Sequence, residues 1–232
     1  LDPFMEEIIH EAGIPCHGKD VIPKIDELNP NIVAAGILNQ KAEGVQVPDT
    51  LFVPRPPALC AGCPHRGFFY ELAKRKDTVM VGDIGCYALG GAAPLSAKDL
   101  AVCMGSAFAV SHGLCHGFAM SGQKKRVVGV MGDSTFFHTG INSLTEVSYN
   151  QSPSICVILD NRITGMTGHQ ENPGTGYTIK GEPTTLIDIE TVVRALGLKH
   201  VRTVNPLDLK AMKETLDWAF AIEDAPSVII TK

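Results

Sequence analysis

The chain has 232 residues, a formal net charge of −5 and 44% apolar residues. That length can bury a sizeable core as one α/β domain with an N-terminal appendage, and the acidic balance, without basic clusters or interleaved aromatics, excludes a nucleic-acid binder. No apolar run approaches a membrane span, and seven cysteines without a secretory signal indicate a reducing cytoplasm with thiols used as ligands rather than disulfides.

Phe4 to Ala12 is expected to be a short amphipathic helix ending at Gly13. Asp20 to Leu28 and Pro30 to Lys41 read as further helices, the second opened by Asn29-Pro30 in an N-cap and N1 pattern. Nothing before residue 46 looks catalytic. Prolines at 48, 54, 56 and 57 mark residues 46–57 as an extended linker, with an α/β domain over 58–232. The start on Leu1 and the apolar run Val228-Ile229-Ile230 near the end suggest a segment of a longer polypeptide.

Past the linker, Cys60-Ala61-Gly62-Cys63-Pro64-His65-Arg66 precedes a helix expected over Phe68 to Lys76 and a strand over Thr78 to Gly82. The spaced pair Cys60 and Cys63 leaves four readings open: iron–sulfur ligation, zinc, a dithiol redox pair or a structural turn. His65 and Arg66 read either as helix-start residues or as groups that meet a substrate. Asp83-Ile84-Gly85-Cys86 follows the strand. A small-residue helix then spans Gly105 to Ser121, and the amides at its start, around Gly105, suit an anion. His112, His116 and His138 have no metal spacing and read as ordinary helix histidines.

The centre of the chain carries the chemistry. Val127 to Met131 and Ile155 to Leu159 are short, non-alternating β-branched runs, as strands covered on both faces of a parallel sheet should be. Apolar spacing predicts a helix between them over Thr139 to Asn150. Asp133 and Asn161 follow the two strands, 28 positions apart, about the length of one βαβ crossover, which brings them together at the carboxyl edge of the sheet. A carboxylate, an amide oxygen and the backbone carbonyl of Ile163 form the all-oxygen shell that Mg²⁺ prefers. Gly132 permits close backbone approach, and Ser134 and Thr135 add hydroxyls and amides. Beyond this unit, Asn172 to Pro183, with three Gly and two Pro and no apolar period, reads as a surface loop or a lid. Helix over Thr185 to Leu196, strand over His200 to Val204, helix over Leu207 to Ala221 and strand over Ser227 to Thr231 complete the alternation.

Gly132-Asp133-Ser134 followed by Asp160-Asn161 resembles the thiamine-diphosphate motif, GD[GS] and then [ND]N. Gly165-Met166-Thr167-Gly168-His169-Gln170 resembles the GMTGGQ loop of the 2-oxoacid:ferredoxin oxidoreductases, with Gly-His in place of Gly-Gly. Within that family the likeness is to the large subunit of the indolepyruvate-oxidising branch, over essentially the whole chain.

The resemblance implies a thiamine-diphosphate-binding α/β fold, a mostly parallel sheet with helices on both faces, and residues 1–45 as the tail of a preceding domain. It implies Mg²⁺ on Asp133, Asn161 and the Ile163 carbonyl. It places thiamine diphosphate against Ile84, Gly85, Cys86, Gly105, Gly132, Asp133, Ser134, Thr135, Asn161, Gly165, Met166 and Thr167, and a [4Fe–4S] cluster on Cys60, Cys63 and Cys86, with the fourth cysteine unidentified. The activity implied is oxidative decarboxylation of aryl 2-oxoacids to acyl-coenzyme A, with electrons passed to ferredoxin. A Glu that activates the cofactor has no match here. The resemblance therefore implies a companion subunit or pyrimidine-binding domain that carries it, in an oligomer. Thiamine decarboxylases without redox centres and non-catalytic nucleotide-binding modules are the rival classes, with His65 the one catalytic candidate in this chain.

Overall fold

The computed structural model describes residues 3–25, 27–40, 44 and 47–232. They fall into two units, Leu1–Arg55 and Pro56–Lys232. The first holds two helices, α1 (Phe4–Glu11) and α2 (Pro30–Leu38), neither with a buried residue. Asn29 caps α2 by accepting the amides of Asn31 and Ile32, with Pro30 at the first helical position.

Two expectations for this unit fail for local reasons. The helix predicted over Asp20 to Leu28 is a turn and bends in its described part, because Pro23 removes an amide donor and disfavours helical backbone before it. The helix predicted to reach Lys41 stops at Leu38, where Asn39 turns left-handed at φ 53°; Lys41 lies outside the described residues. In the linker, Asp49–Leu51 forms one 3₁₀ turn.

The second unit is a five-stranded sheet: β1 (Thr78–Val81), β2 (Arg126–Gly132), β3 (Ile155–Leu159), β4 (His200–Val204) and β5 (Ser227–Thr231). The order is β1-β2-β3-β5-β4, and every pair is parallel. Its helices are α3 (Arg66–Leu72), α4 (Ala107–Met120), α5 (Asp133–Thr135), α6 (Ile141–Tyr149), α7 (Ile189–Ala195) and α8 (Leu209–Phe220). A π-helical segment, Phe136–Gly140, joins α5 to α6. The sheet direction explains which face each helix covers. From β1 through β3 to β4 the chain moves one way along the sheet, and Phe108, Leu144 and Val193 of α4, α6 and α7 share one apolar cluster. From β4 to β5 it moves back. With a constant crossover hand the connecting helix must then lie on the opposite face, and Met212, Leu216 and Ala219 of α8 do join Phe68, Phe69 and Leu72 of α3 there. All five residues of β3 and of β5 are buried, as expected of strands covered on both sides.

Several boundaries in this unit differ from expectation, among them that of the helix predicted over Phe68 to Lys76, which runs from Arg66 and stops at Leu72. The helix predicted from Thr185 begins at Ile189, because Asp188 caps it by accepting the Thr191 amide. The segment predicted as a surface loop from Asn172 starts with two buried residues, Asn172 and Gly174. No described helix is long and apolar enough to cross a membrane.

Candidate diphosphate and metal site

A cleft opens at the carboxyl ends of β1, β2 and β3, the edge at which open α/β sheets bind ligands. Three segments line it: Ile84, Gly85, Cys86 and Tyr87 after β1; Gly132, Asp133, Ser134 and Thr135 after β2; and Asn161 with Ile163, Thr164, Gly165, Met166 and Thr167 after β3. Met104 closes one end. The cleft therefore gathers the residues expected from sequence after all three strands, and adds Tyr87, Met104 and Thr164. Its volume is about 110 Å³, below the roughly 300 Å³ at which small-molecule pockets usually begin.

Asp133 is the electrostatic centre. It is 2% exposed, and burial pushes its carboxyl up to about 6, with the nearby Asp160 adding to the rise while a hydrogen bond from Asn172 opposes it. The Asn172 amide donates to Asp133 Oδ2 at 3.0 Å. Burial also raises the Asp160 carboxyl. A buried carboxylate in the cleft with a second carboxylate near enough to raise it favours a bound cation. Asn161 folds into an Asx turn in which its Oδ1 accepts the Ile163 amide at 3.2 Å. Asp160 does the same for Arg162, itself at φ 53°, at 3.0 Å.

The loop after β3 is closed on itself and tied to the loop after β2. Thr164 and Gln170 exchange both backbone hydrogen bonds, at 3.0 and 3.2 Å. The Gln170 side chain accepts from Thr167 Oγ1 and donates to the Thr167 carbonyl. Thr164 Oγ1 donates to Ser134 Oγ at 2.8 Å. His169 stands in the left-handed region at φ 63°, which explains why glycine suits that position and why histidine is among the side chains that tolerate it.

Two expected residues take other roles. The Gly105 amide does not face the cleft: it donates to both oxygens of Asp83, at 2.9 and 3.0 Å, and Ala107 donates to the same carboxylate at 3.2 Å. A buried carboxylate from the end of β1 thus already occupies the amino end of α4 and takes the Gly105 and Ala107 amides. His65 does not reach the cleft either. It is fully buried. Its Nε2 must donate to the Thr231 carbonyl at 3.4 Å, because a carbonyl only accepts, so Nδ1 accepts from the Tyr87 hydroxyl at 2.8 Å. Burial holds its pKa down to about 4, so the ring is neutral at pH 7. His65 supports Tyr87, and the Tyr87 ring in turn lies where a Cβ on Gly132 would meet it at 3.2 Å.

The cysteine set is brought together only in part. The thiol of Cys86 is raised by burial and by the proximity of Cys60 and Cys63, an effect that the nearby Cys86 and Met166 backbone opposes. Cys60 and Cys63 sit in one turn, with Cys63 N–H donating to the Cys60 carbonyl at 3.1 Å. Yet among the described residues no three His, Cys, Asp or Glu side chains have the geometry of a metal site, and no fourth cysteine joins these three. Sequence reasoning missed Asn172, which hydrogen-bonds Asp133, and Tyr87, which lines the cleft. An Asn-Pro-Gly run reads as a turn, and nothing local marks a contact made across 39 positions.

Residues 83–231 match the thiamine pyrophosphate enzyme family model, "C-terminal TPP binding domain". The indolepyruvate oxidoreductase subunit IorA of Pyrococcus horikoshii is 36% identical over 264 residues, covering 100% of this chain and 40% of that protein. The IorA of Methanothermobacter thermautotrophicus is 38% identical over 256 residues, with the same two shares. The chain thus spans about 40% of the length of the curated relatives it matches. Among solved structures, the 2-oxoglutarate:ferredoxin oxidoreductase of Magnetococcus marinus superposes with a TM-score of 0.63 at 20% identity, over 77% of this chain and 64% of that one. Benzoylformate decarboxylase from Polynucleobacter necessarius gives 0.54 at 19% identity, over 83% and 35%.

Proposed function

The chain belongs to the thiamine pyrophosphate enzyme family, as its C-terminal cofactor-binding domain, and from that premise we propose that it supplies the diphosphate and Mg²⁺ half of the active site of a 2-oxoacid oxidoreductase. The observation that carries this reading is the buried Asp133 at the end of β2, destabilised as an anion and with no cation partner among the described side chains, facing Asn161 across the cleft. Such a carboxylate fits a divalent ion. Asp133, Asn161 and the Ile163 carbonyl would hold it, and Ser134, Thr135 and the Gly165–Thr167 loop would take the diphosphate oxygens.

When bound, thiamine diphosphate supplies the carbon nucleophile and electron sink for loss of CO₂ from a 2-oxoacid. This chain's own residues bind, orient and exclude water. Asp133 gives the fixed negative charge that locates the metal. The Asx turn at Asn161 sets the backbone at Ile163, and the Thr164–Ser134 hydrogen bond keeps the two loops at one spacing. Ile84, Met104 and Met166 line the cleft while remaining half exposed, which suits a wall completed by a companion domain or subunit. That companion would carry the activating Glu. In keeping with the names of the relatives, the substrate class is an aryl pyruvate, with coenzyme A and ferredoxin as acceptors. Unit 1, whose two helices bury nothing, is by the same reading the tail of a preceding domain.

The three thiols do not by themselves fit a [4Fe–4S] cluster, so no electron step is drawn through them. A second reading, a thiamine decarboxylase without redox centres, shares Asp133 and Asn161 and has a structural likeness in the benzoylformate decarboxylase fold. Iron content after anaerobic preparation separates the two, because only the oxidoreductase needs it. The test of the shared site is Asp133→Ala. It should abolish the rise in melting temperature that thiamine diphosphate with Mg²⁺ gives the parent, and unchanged cofactor retention would sink the metal assignment. Viologen reduction with a panel of 2-oxoacids and coenzyme A, in the presence of the companion polypeptide, then tests the oxidative activity.

A further inference from the structure

We propose that Asn172 is a positioning residue that holds Asp133 as a one-oxygen ligand and so makes the site select Mg²⁺ over Ca²⁺; this rests on the metal site proposed above. Asn172 is 5% exposed and comes from a turn 39 positions beyond Asp133. Its orientation is settled by its neighbours. The Gly174 amide donates to Asn172 Oδ1 at 2.9 Å, so that end must be the oxygen and the NH₂ end must face Asp133. The NH₂ donates to Asp133 Oδ2 at 3.0 Å. The Asn172 carbonyl accepts from Thr175 twice, from its amide at 3.0 Å and its hydroxyl at 2.9 Å. Gly174 in turn lies against Phe137, where a Cβ would meet the ring at 2.9 Å, and Phe137 belongs to the π-helical segment that continues from Asp133. Both ends of the Asp133–Asn172 bond are therefore anchored.

The consequence is chemical. A free carboxylate can offer both oxygens to one ion. Ca²⁺ accepts this, taking six to eight oxygens in a flexible shell, whereas Mg²⁺ demands a tight octahedron of single oxygens. The amide takes one lone pair of Oδ2 and fixes the plane of the carboxylate, leaving Oδ1 the better-placed oxygen for the metal. Asn172 thereby does two things at once: it aims the ligand, and it disfavours the bidentate mode that a larger ion would use.

The experiment titrates MgCl₂ and CaCl₂ calorimetrically into the 232-residue chain with saturating thiamine diphosphate, comparing the parent with Asn172→Ala and Asn172→Ser. The Ser variant keeps a short side-chain acceptor for the Gly174 amide without adding charge beside Asp133, so it controls for collapse of the turn, and circular dichroism checks the fold of both. Loss of an orienting partner of a metal ligand typically weakens binding roughly 10- to 100-fold. Mg²⁺ affinity should fall by about that much while Ca²⁺ affinity holds or rises, lowering the Mg²⁺/Ca²⁺ preference at least several-fold in both variants. A preference unchanged in both, whatever the absolute affinities, overturns the proposal, since a merely structural Asn172 would weaken the two ions alike. A parent chain that shows no metal-dependent binding of thiamine diphosphate overturns the underlying site, and the proposal with it.

Discussion

Asp133 and His65 both titrate away from their ordinary values, and they act on stability with opposite signs. Asp133 has its pKa raised to about 6 in the folded chain. The folded state then holds a proton that the unfolded state has released, so its contribution is fully present below pH 3.8 and is lost as pH rises through 6. His65 has its pKa depressed to about 4. Its contribution is present above pH 6.5 and is lost as pH falls toward 4. In the metal-free chain the two changes oppose each other between pH 4 and 6.5. Asp133→Asn removes one of them. It should stabilise the metal-free protein at pH 7 by on the order of 2–3 kcal/mol, as two pKa units imply, with no gain at pH 4, measured by urea denaturation. Equal gains at both pH values would mean that packing, not charge, sets the effect. The identities of both residues were legible from the strand-end and helix-start patterns. Their roles diverged because burial, which no local pattern reports, left Asp133 open on one oxygen and closed both nitrogens of His65.

At the scale of elements, the close approach of α4 to β2 decides the shape of the layer beneath the cleft. A Cβ on Gly129 of β2 would meet Ser111 Oγ at 2.5 Å and the Ala107 carbonyl at 2.9 Å. The carbonyl is backbone and cannot swing away, so Gly129→Ala should destabilise by about 1–3 kcal/mol through overpacking. Gly113 and Gly117 of the same helix have nothing within 4 Å of a Cβ. Alanine at either should stabilise by roughly 0.5–1 kcal/mol, because glycine is a poor helix residue. Chemical denaturation of the three variants tests this, and a common sign would contradict the packing. The small-residue composition of the helix announces a close contact but not which glycines make it. Element identities followed from period and β-branching for all five strands. Boundaries moved where a side-chain cap or a proline prevailed over the apolar pattern, as at Asp188 and Pro23.

For the whole molecule, every residue of the two buried clusters lies between Leu59 and Ile230. A chain beginning at Pro56 should accordingly fold by itself and keep its binding of Mg²⁺ with thiamine diphosphate; loss of the cooperative thermal transition in that shortened chain would show that unit 1 is needed. The sequence by itself determined the parallel α/β alternation, the two strand ends that carry Asp133 and Asn161, and the Gly165–Gln170 loop, because each is encoded by residues adjacent in the chain, through hydrophobic period and turn chemistry. Only the tertiary structure decided the rest. It filled the amino end of α4 with Asp83, withdrew His65 from the cleft, and brought Asn172 onto Asp133 from 39 positions away. Those outcomes depend on which polar groups are buried together. That pairing is set by the stacking of helices on the sheet, where an unsatisfied donor or acceptor is costly, and not by any preference of the residues themselves.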